Sequence, residues 1–210
     1  MNKNIQIQTI IRRLKKEYPG SKTELFYGTP FQLLAATIMS AQTTDVLVNR
    51  VAEPIFKRYK TADDFLELSV NELEIMIKSI NYYKTKARNI LGSAAIIKDS
   101  FGSNVPKTMH ELVTLPGVAR KTANIVLSEA YGINEGIAVD THVKRLSMRL
   151  GLSNNTDPVK IEQDLMLITK QKDWQLISNL LIFHGRRVCN AKNPKHDACV
   201  LADICPSKDI

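Results

Sequence analysis

Two groups of residues have the types and spacing that chemistry needs. The first surrounds a break in helical pattern, where Leu115-Pro116-Gly117-Val118-Ala119 is followed at once by Arg120 and Lys121. Pro and Gly together interrupt a helix, and Gly117 lets the chain turn with its backbone N–H groups outward. A helix restarting at Arg120 adds the positive end of its dipole, so the turn can seat a phosphate oxygen without reading base sequence. The same residues also describe an ordinary αα-corner. Nineteen positions after Lys121, Asp140 stands at another helix start and can face it. Taken alone, Lys121 reads as a solvated lysine and Asp140 as an N-cap. The second group is C-terminal: Cys189, Cys199 and Cys205 are all the cysteines of the chain and fall within seventeen positions. An odd count in a chain without a secretory leader argues against a disulfide framework and for a metal site.

The elements that must position these residues read as helices throughout. Apolar residues recur at spacings of three and four, as in Ala87, Ile90, Leu91, Ala94 and Ile97, and no strand alternation is present. Caps, Pro and Gly divide the pattern into helices near 4–17, 30–41, 44–58, 61–67, 70–79, 84–100, 108–114, 120–131, 141–150, 158–169 and 173–188. An all-α protein is expected. Its 210 residues suffice for one large domain or two small ones, and neither a low-complexity linker nor a repeat marks a boundary.

Charge narrows the partner. Twenty-nine Lys and Arg against 21 Asp and Glu leave a formal charge of +8, which suits nucleic acid or an anionic membrane. The opening "MNKNIQIQTIIRRLKK" is a basic amphipathic helix and not a secretory leader. Leu25 to Thr44 is uncharged, but Pro30, Gln32, Ser40 and Gln42 make it a buried helix with a polar exit, not a membrane span. A soluble, intracellular protein of the cytoplasm or nucleoid, without membrane association, is expected.

The motifs "LPGVARKTANIVL" at 115–127, "VDTHV" at 139–143, "SAQTTD" at 40–45 and "HGRRVC" at 184–189 resemble, over nearly the whole chain, the endonuclease III family of base-excision DNA glycosylases. That family belongs to the helix-hairpin-helix, Gly/Pro-rich loop, Asp superfamily. The resemblance implies a two-lobed fold, with a six-helix lobe over 22–134 and a second lobe of 1–21 plus 135–210, DNA lying across the cleft between them. It implies that Lys121 is the nucleophile and Asp140 its catalytic partner. An amine that attacks the deoxyribose C1′ forms an iminium with the opened sugar, which neither Ser nor Asp can do. The iminium acidifies C2′, and loss of that proton expels the 3′ phosphate. A free lysine has a pKa of about 10.4 and is only about a thousandth neutral near physiological pH. A helix start contributes roughly 0.3 to 1 kcal/mol, less than the 1.36 kcal/mol of one pKa unit, so desolvation must do most of the activation.

The resemblance also places Gln42 and Tyr82 where the family fills the gap left by a flipped nucleotide, and Gly117, Ala119 and Arg120 against the DNA backbone. Ala119 stands where the family commonly has a second hairpin glycine. In the C-terminal segment the family spaces four cysteines C-x6-C-x2-C-x5-C around a [4Fe-4S] cluster; here the positions are Cys189, His196, Cys199 and Cys205, with an imidazole for the second thiolate. A cluster with one histidine ligand, a Cys3His zinc site and an empty loop all fit this pattern. Lys192 and Lys195, between the first two positions, would be offered to the DNA backbone.

The expected protein is therefore a monomeric DNA N-glycosylase with apurinic/apyrimidinic lyase activity, acting on oxidised pyrimidines and abasic sites in double-stranded DNA. The alternatives are a monofunctional mismatch or adenine glycosylase, whose members generally lack lysine at the Lys121 position, and a non-catalytic helix-hairpin-helix DNA-binding protein, which needs neither Lys121 nor Asp140. Contacts from the hairpin, the cysteine loop and "KTKAR" at 84–88 should make binding mainly electrostatic. Affinity for duplex DNA titrated against salt should then fall with a log–log slope of roughly −0.9 per phosphate contacted, and a flat plot would contradict this footprint.

Overall fold

Helix starts in the chain coincide with side chains that can cap them. Thr29 accepts from the Gln32 N–H with Pro30 at the first helical position, Thr44 accepts from Leu47, and Asp157 accepts from Lys160 ahead of Pro158. Thr61 with Asp64, and Ser69 with Glu72, form reciprocal capping boxes. The computed structural model describes residues 3–208 and holds eleven α-helices and no β-strand among them. They are α1 (Lys3–Glu17), α2 (Pro30–Ser40), α3 (Asp45–Arg58), α4 (Ala62–Phe65), α5 (Val70–Met76), α6 (Tyr83–Phe101), α7 (Met109–Leu112), α8 (Arg120–Tyr131), α9 (Thr141–Arg149), α10 (Pro158–Ile168) and α11 (Trp174–Arg187). Short 3-10 turns occupy Gln171–Asp173, His196–Ala198 and Ala202–Ile204.

The helices sort into two compact units, one formed by Glu24–Ile133 and the other by the chain up to Thr23 together with that from Asn134 onward. The first unit carries α2 to α8. Where the family resemblance implies six helices, seven segments are present, two of them the four-residue turns α4 and α7, capped by Thr61 and Thr108. At its centre α2 buries every residue from Phe31 to Met39. Gln32 is the polar member of that run: its amide nitrogen donates to the carbonyls of Phe56 and Tyr59 at the end of α3, and its oxygen accepts from Gly28. The buried amide is thus fully used, as burial requires.

Helix α6 organises the turns around this core. Lys86, Ile90, Ser93 and Ala94 lie on its buried face, at the spacing of three and four that puts side chains in one row. The Pro116–Gly117 hairpin docks on it: Ser93 donates to the Pro116 carbonyl at 3.0 Å, and Gly92 leaves room for the Pro116 ring, which a Cβ there would meet at 3.3 Å. Gly117 has φ +76°, and a Cβ on it would lie 2.5 Å from the Asn89 side-chain nitrogen. Both the left-handed backbone and the close approach of α6 therefore call for glycine at this position. Ala119 has φ −93° and ψ 171°, extended backbone open to any residue.

The second unit packs α1, α9, α10 and α11 around Ile7, Ile10, Leu14, Val143, Leu146, Ile161, Leu165, Ile177, Leu180 and Leu181. Buried Gln6 donates to the Leu150 carbonyl at the end of α9, and buried Ser178 of α11 donates to the Ala138 carbonyl just before it. These two bonds fix both ends of the stretch that presents Asp140. Helices α9 and α11 approach closely at Gly185, where a Cβ would come within 3.0 Å of the His142 side chain.

The hairpin geometry yields a direct test. Gly117→Ala must pay left-handed strain of roughly 1–2 kcal/mol and displace Asn89 as well, so urea unfolding of the full chain should show a loss of about 2 kcal/mol or more. Ala119→Gly, at an extended position, should change stability by less than about 1 kcal/mol.

Candidate functional site

In the unit formed by Glu24–Ile133, three turns carry the residues singled out from the sequence. The first joins α2 to α3 and has exposed Gln42 at its tip with φ +53°; the second precedes α6 and has Tyr82 at φ +57°, 66 % exposed. Neither is glycine, so each turn stores roughly 1–3 kcal/mol of backbone strain, which the surrounding structure must hold in place. The two turns touch: the Asn81 side chain donates to the Gln42 carbonyl at 2.6 Å.

Beneath them lies Lys86, only 5 % exposed. Its ammonium donates to the carbonyls of Met39 at 2.8 Å and Ala41 at 2.6 Å and to the Thr43 hydroxyl at 3.2 Å. Burial draws its pKa down to about 8, while the negative end of the α2 dipole and three oxygens favour the charged form. Of the cations in "KTKAR", Lys84 and Arg88 are exposed and Lys86 is not. The expectation that Lys86 neutralises phosphate is thereby corrected: its charge is committed to the end of α2.

The third turn is the hairpin. Gly117, Ala119, Arg120 and Lys121 are all exposed, and Ala119 offers no side-chain oxygen to the first turn of α8. Gly117 and Ala119 thus lie at the surface beside the positive end of α8, the end of a helix that accepts an anion. Lys121 occupies the second position of α8, one residue into the helix from Arg120.

In the other unit Asp140 is the N-cap of α9. Its Oδ1 accepts from the His142 and Val143 N–H groups, each at 2.8 Å. Both capping bonds use one oxygen, which orients the carboxylate. Behind the cap, His142 is half-buried, and burial holds its pKa below the ordinary value.

Cys189, His196, Cys199 and Cys205 line one small pocket that opens to solvent, together with Arg149, Val188 and Pro194. Among the described residues, no three His, Cys, Asp or Glu side chains converge closely enough to grip a single ion. The loop is fastened by arginines of α1 and α9. Arg149 of α9 donates to the Cys189 sulfur at 3.3 Å and to the Asn190 carbonyl at 2.7 Å; Arg145 donates to the carbonyls of Gly185 and Cys189 at 2.9 Å; Arg13 of α1 donates to the Val200 carbonyl at 2.9 Å and pairs with Asp203. His184, buried on α11, sits 3.3 Å from the Cys199 sulfur through Nε2 and 3.1 Å from the Tyr18 hydroxyl through Nδ1. Burial pushes the His184 pKa down to about 4, so the ring is neutral at physiological pH. Burial also raises the Cys199 thiol, with Cys189 and Cys205 adding to the effect. Lys192 and Lys195 are exposed on the same loop.

His184, Arg149 and Asn89 are the participants that sequence reasoning passed over, and Lys86 is the one it placed against DNA. "HGRRVC" contained His184 as a motif letter, and nothing in the pattern signalled its contact with a cysteine ten residues beyond the motif.

Comparison with known proteins agrees with this arrangement. Residues 35–171 match the family described as HhH-GPD superfamily base excision DNA repair protein, and residues 189–205 match the iron-sulfur binding domain of endonuclease III. Endonuclease III of Synechocystis sp. is 51% identical over 198 residues, covering 94% of this chain and 90% of that protein. The Bacillus subtilis enzyme of the same name is 42% identical, covering 95% and 91%. A trapped endonuclease III–DNA covalent intermediate superposes with a TM-score of 0.93 at 40% identity, over 99% of this chain and 98% of that one. A thermostable thymine-DNA glycosylase, 20% identical with a TM-score of 0.87 over 98% and 97% of the two chains, shares the fold. With its hairpin, its capped aspartate and its cysteine loop all within the matched segments, this chain belongs to the endonuclease III family.

Proposed function

We propose that the chain is a bifunctional base-excision DNA glycosylase and apurinic/apyrimidinic lyase, with Lys121 as nucleophile, Asp140 as its partner and oxidised pyrimidines in duplex DNA as substrate, acting as a monomer. The observation that carries this reading is an exposed lysine at the start of α8, directly after an outward-facing hairpin, in a chain that belongs to the endonuclease III family. A non-catalytic DNA-binding protein requires neither that lysine nor Asp140.

The chemistry follows from the groups present. The hairpin N–H groups and the start of α8 take a phosphate oxygen, which fixes the strand without specifying sequence. Neutral Lys121 attacks C1′ as the C1′–N bond to the damaged base breaks, and the base departs with the electron pair and a proton. Asp140, oriented through Oδ1 by two backbone N–H groups, offers its carboxylate to the positive charge that develops on the sugar. Ring opening gives the iminium, a base removes the C2′ proton, and the electron pair expels the 3′ phosphate. Hydrolysis then returns the amine. Gln42 and Tyr82 occupy the space of the extruded nucleotide, offsetting the few kcal/mol that unstacking costs.

The loop residues fit an iron-sulfur cluster better than a single zinc ion. Three thiols and an imidazole line one cavity without converging on one point, as a multi-iron group bound once per iron requires and a tetrahedral ion does not. Cys189, His196, Cys199 and Cys205 would hold it. When bound, such a group supplies a rigid centre that fixes the loop and its lysines against DNA. Neutral His184 can donate Nε2–H to the Cys199 sulfur while accepting from Tyr18, and Arg149 donates to the Cys189 sulfur, so two of the ligand sulfurs already have N–H donors.

Borohydride reduction in the presence of an oxidised-pyrimidine duplex should trap a protein–DNA adduct; Lys121→Gln should abolish it while still binding an abasic-site analogue, and trapping that persists would refute the nucleophile. Asp140→Asn should slow base release by roughly a hundredfold or more with DNA affinity little changed. For the loop, protein purified without oxygen should be brown and contain iron and sulfide, and His196→Cys should raise occupancy. A colourless protein containing zinc would select the Cys3His site instead.

A further inference from the structure

The turns that end in Gln42 and Tyr82 are joined through one residue. Lys86 reaches the first with its ammonium, which bonds Ala41 and Thr43 on either side of Gln42, and belongs to the second through the first turn of α6, where its N–H makes the ordinary helical bond to the Tyr82 carbonyl at 3.1 Å. A further bond from Lys86 to the Met39 carbonyl ties both turns to the end of α2. Asn81 bridges them again at the surface, from the residue before Tyr82 to the Gln42 carbonyl. Both tips are non-glycine residues in the left-handed region, a conformation that persists only where surrounding bonds impose it. No phosphate can reach the ammonium, since the side chain is buried.

We infer that Lys86 is a positioning residue whose side chain clamps the Gln42 turn onto the first turn of α6, and so joins Gln42 and Tyr82 into a single two-pronged wedge, with Asn81 as its second tie. This rests on the reading that Gln42 and Tyr82 enter the duplex. Held in fixed relation, the prongs meet the duplex already in the geometry that replaces an extruded nucleotide, and no binding energy goes into ordering two separate loops. Lys86 acts through these turns and touches no reacting atom, so its loss should fall on extrusion and not on the lysine chemistry that follows.

The clamp is tested first without DNA. In Lys86→Met, amide exchange at 40–45 and 80–85 should rise together, by roughly tenfold or more; exchange unchanged in a folded variant overturns the clamp. With DNA, unstacking of a 2-aminopurine beside an oxidised pyrimidine, and excision of that pyrimidine, should fall roughly tenfold to a hundredfold. β-Elimination at an abasic site in single-stranded DNA, which needs no extrusion, should stay at the wild-type rate. An equal loss in both reactions overturns the positioning role. Should Lys86→Met fail to fold, Asn81→Ala removes the exposed tie alone: it should loosen the same two segments and slow duplex excision several-fold, and wild-type behaviour in both overturns the proposal. Gln42→Ala and Tyr82→Ala separate the two readings. If both leave 2-aminopurine unstacking intact, the wedge is refuted and the proposal with it, while the exchange result still reports whether the clamp exists.

Discussion

A lysine ammonium inside an apolar core must find oxygens or give up its charge. Lys86 finds three at the end of α2, and much of the surrounding unit is arranged by that requirement. Because the anchor is a side chain of α6, the α2–α3 turn is fixed to the helix that Tyr82 immediately precedes. Seven residues further along the same face, Ser93 receives the hairpin through the Pro116 carbonyl, with Gly92 making room and Asn89 under Gly117. At 1.5 Å per residue the two attachment points are roughly 10 Å apart along the axis. One rigid helix thus sets the spacing between the residues proposed to fill the duplex and the turn proposed to hold its backbone, which separate loops packed independently would not keep.

The other unit reaches order at its site by a different means. The cysteine loop has little core of its own, with Leu201 its deeply buried residue. Its carbonyls are instead collected by arginines of α1 and α9, whose planar forks satisfy several oxygens each. The same α9 begins at Asp140, so the helix that presents the carboxylate at one end fastens the loop at the other. Substituting histidine for a thiolate at 196 removes one negative charge from the cavity that also receives the Arg149 N–H. A cluster there would carry a less negative environment than four thiolates give, which favours its reduced form.

Most of the helical order was legible in the sequence because its causes are local. Apolar spacing of three and four marked α6 from Ala87 to Ile97, and the helices expected near 61, 70 and 158 start in the structure behind caps at Thr61, Ser69 and Asp157. The all-α class and the family followed from such patterns and from the intact motifs. What escaped was set by distant neighbours. Lys86 sits among Lys84 and Arg88 in a run that reads as a basic surface, and only the carbonyls of residues more than forty positions earlier make its burial tolerable. The left-handed backbone at Gln42 and Tyr82 had no glycine to signal it, since here the strain is held by bonds and not relieved by composition. His184 read only as a letter of the "HGRRVC" motif, but its role depends on Tyr18 and Cys199, at the two ends of the chain.

Ala119 shows how a departure from a family pattern can be judged by geometry. A second glycine in a hairpin has two physical uses, a backbone angle that other residues resist or an approach that a methyl would block. The first does not apply, because Ala119 is extended at φ −93° while Gly117 alone takes the left-handed angle. The second concerns only the outward face, since the residue is exposed and the inward contacts with α6 belong to Pro116 and Gly117. Its N–H is unchanged by the methyl, and the absence of a side-chain oxygen leaves the start of α8 open to an external anion where Ser, Thr, Asn or Asp would have closed it. An alanine here therefore keeps the fold of the hairpin, and the left-handed turn rests on Gly117.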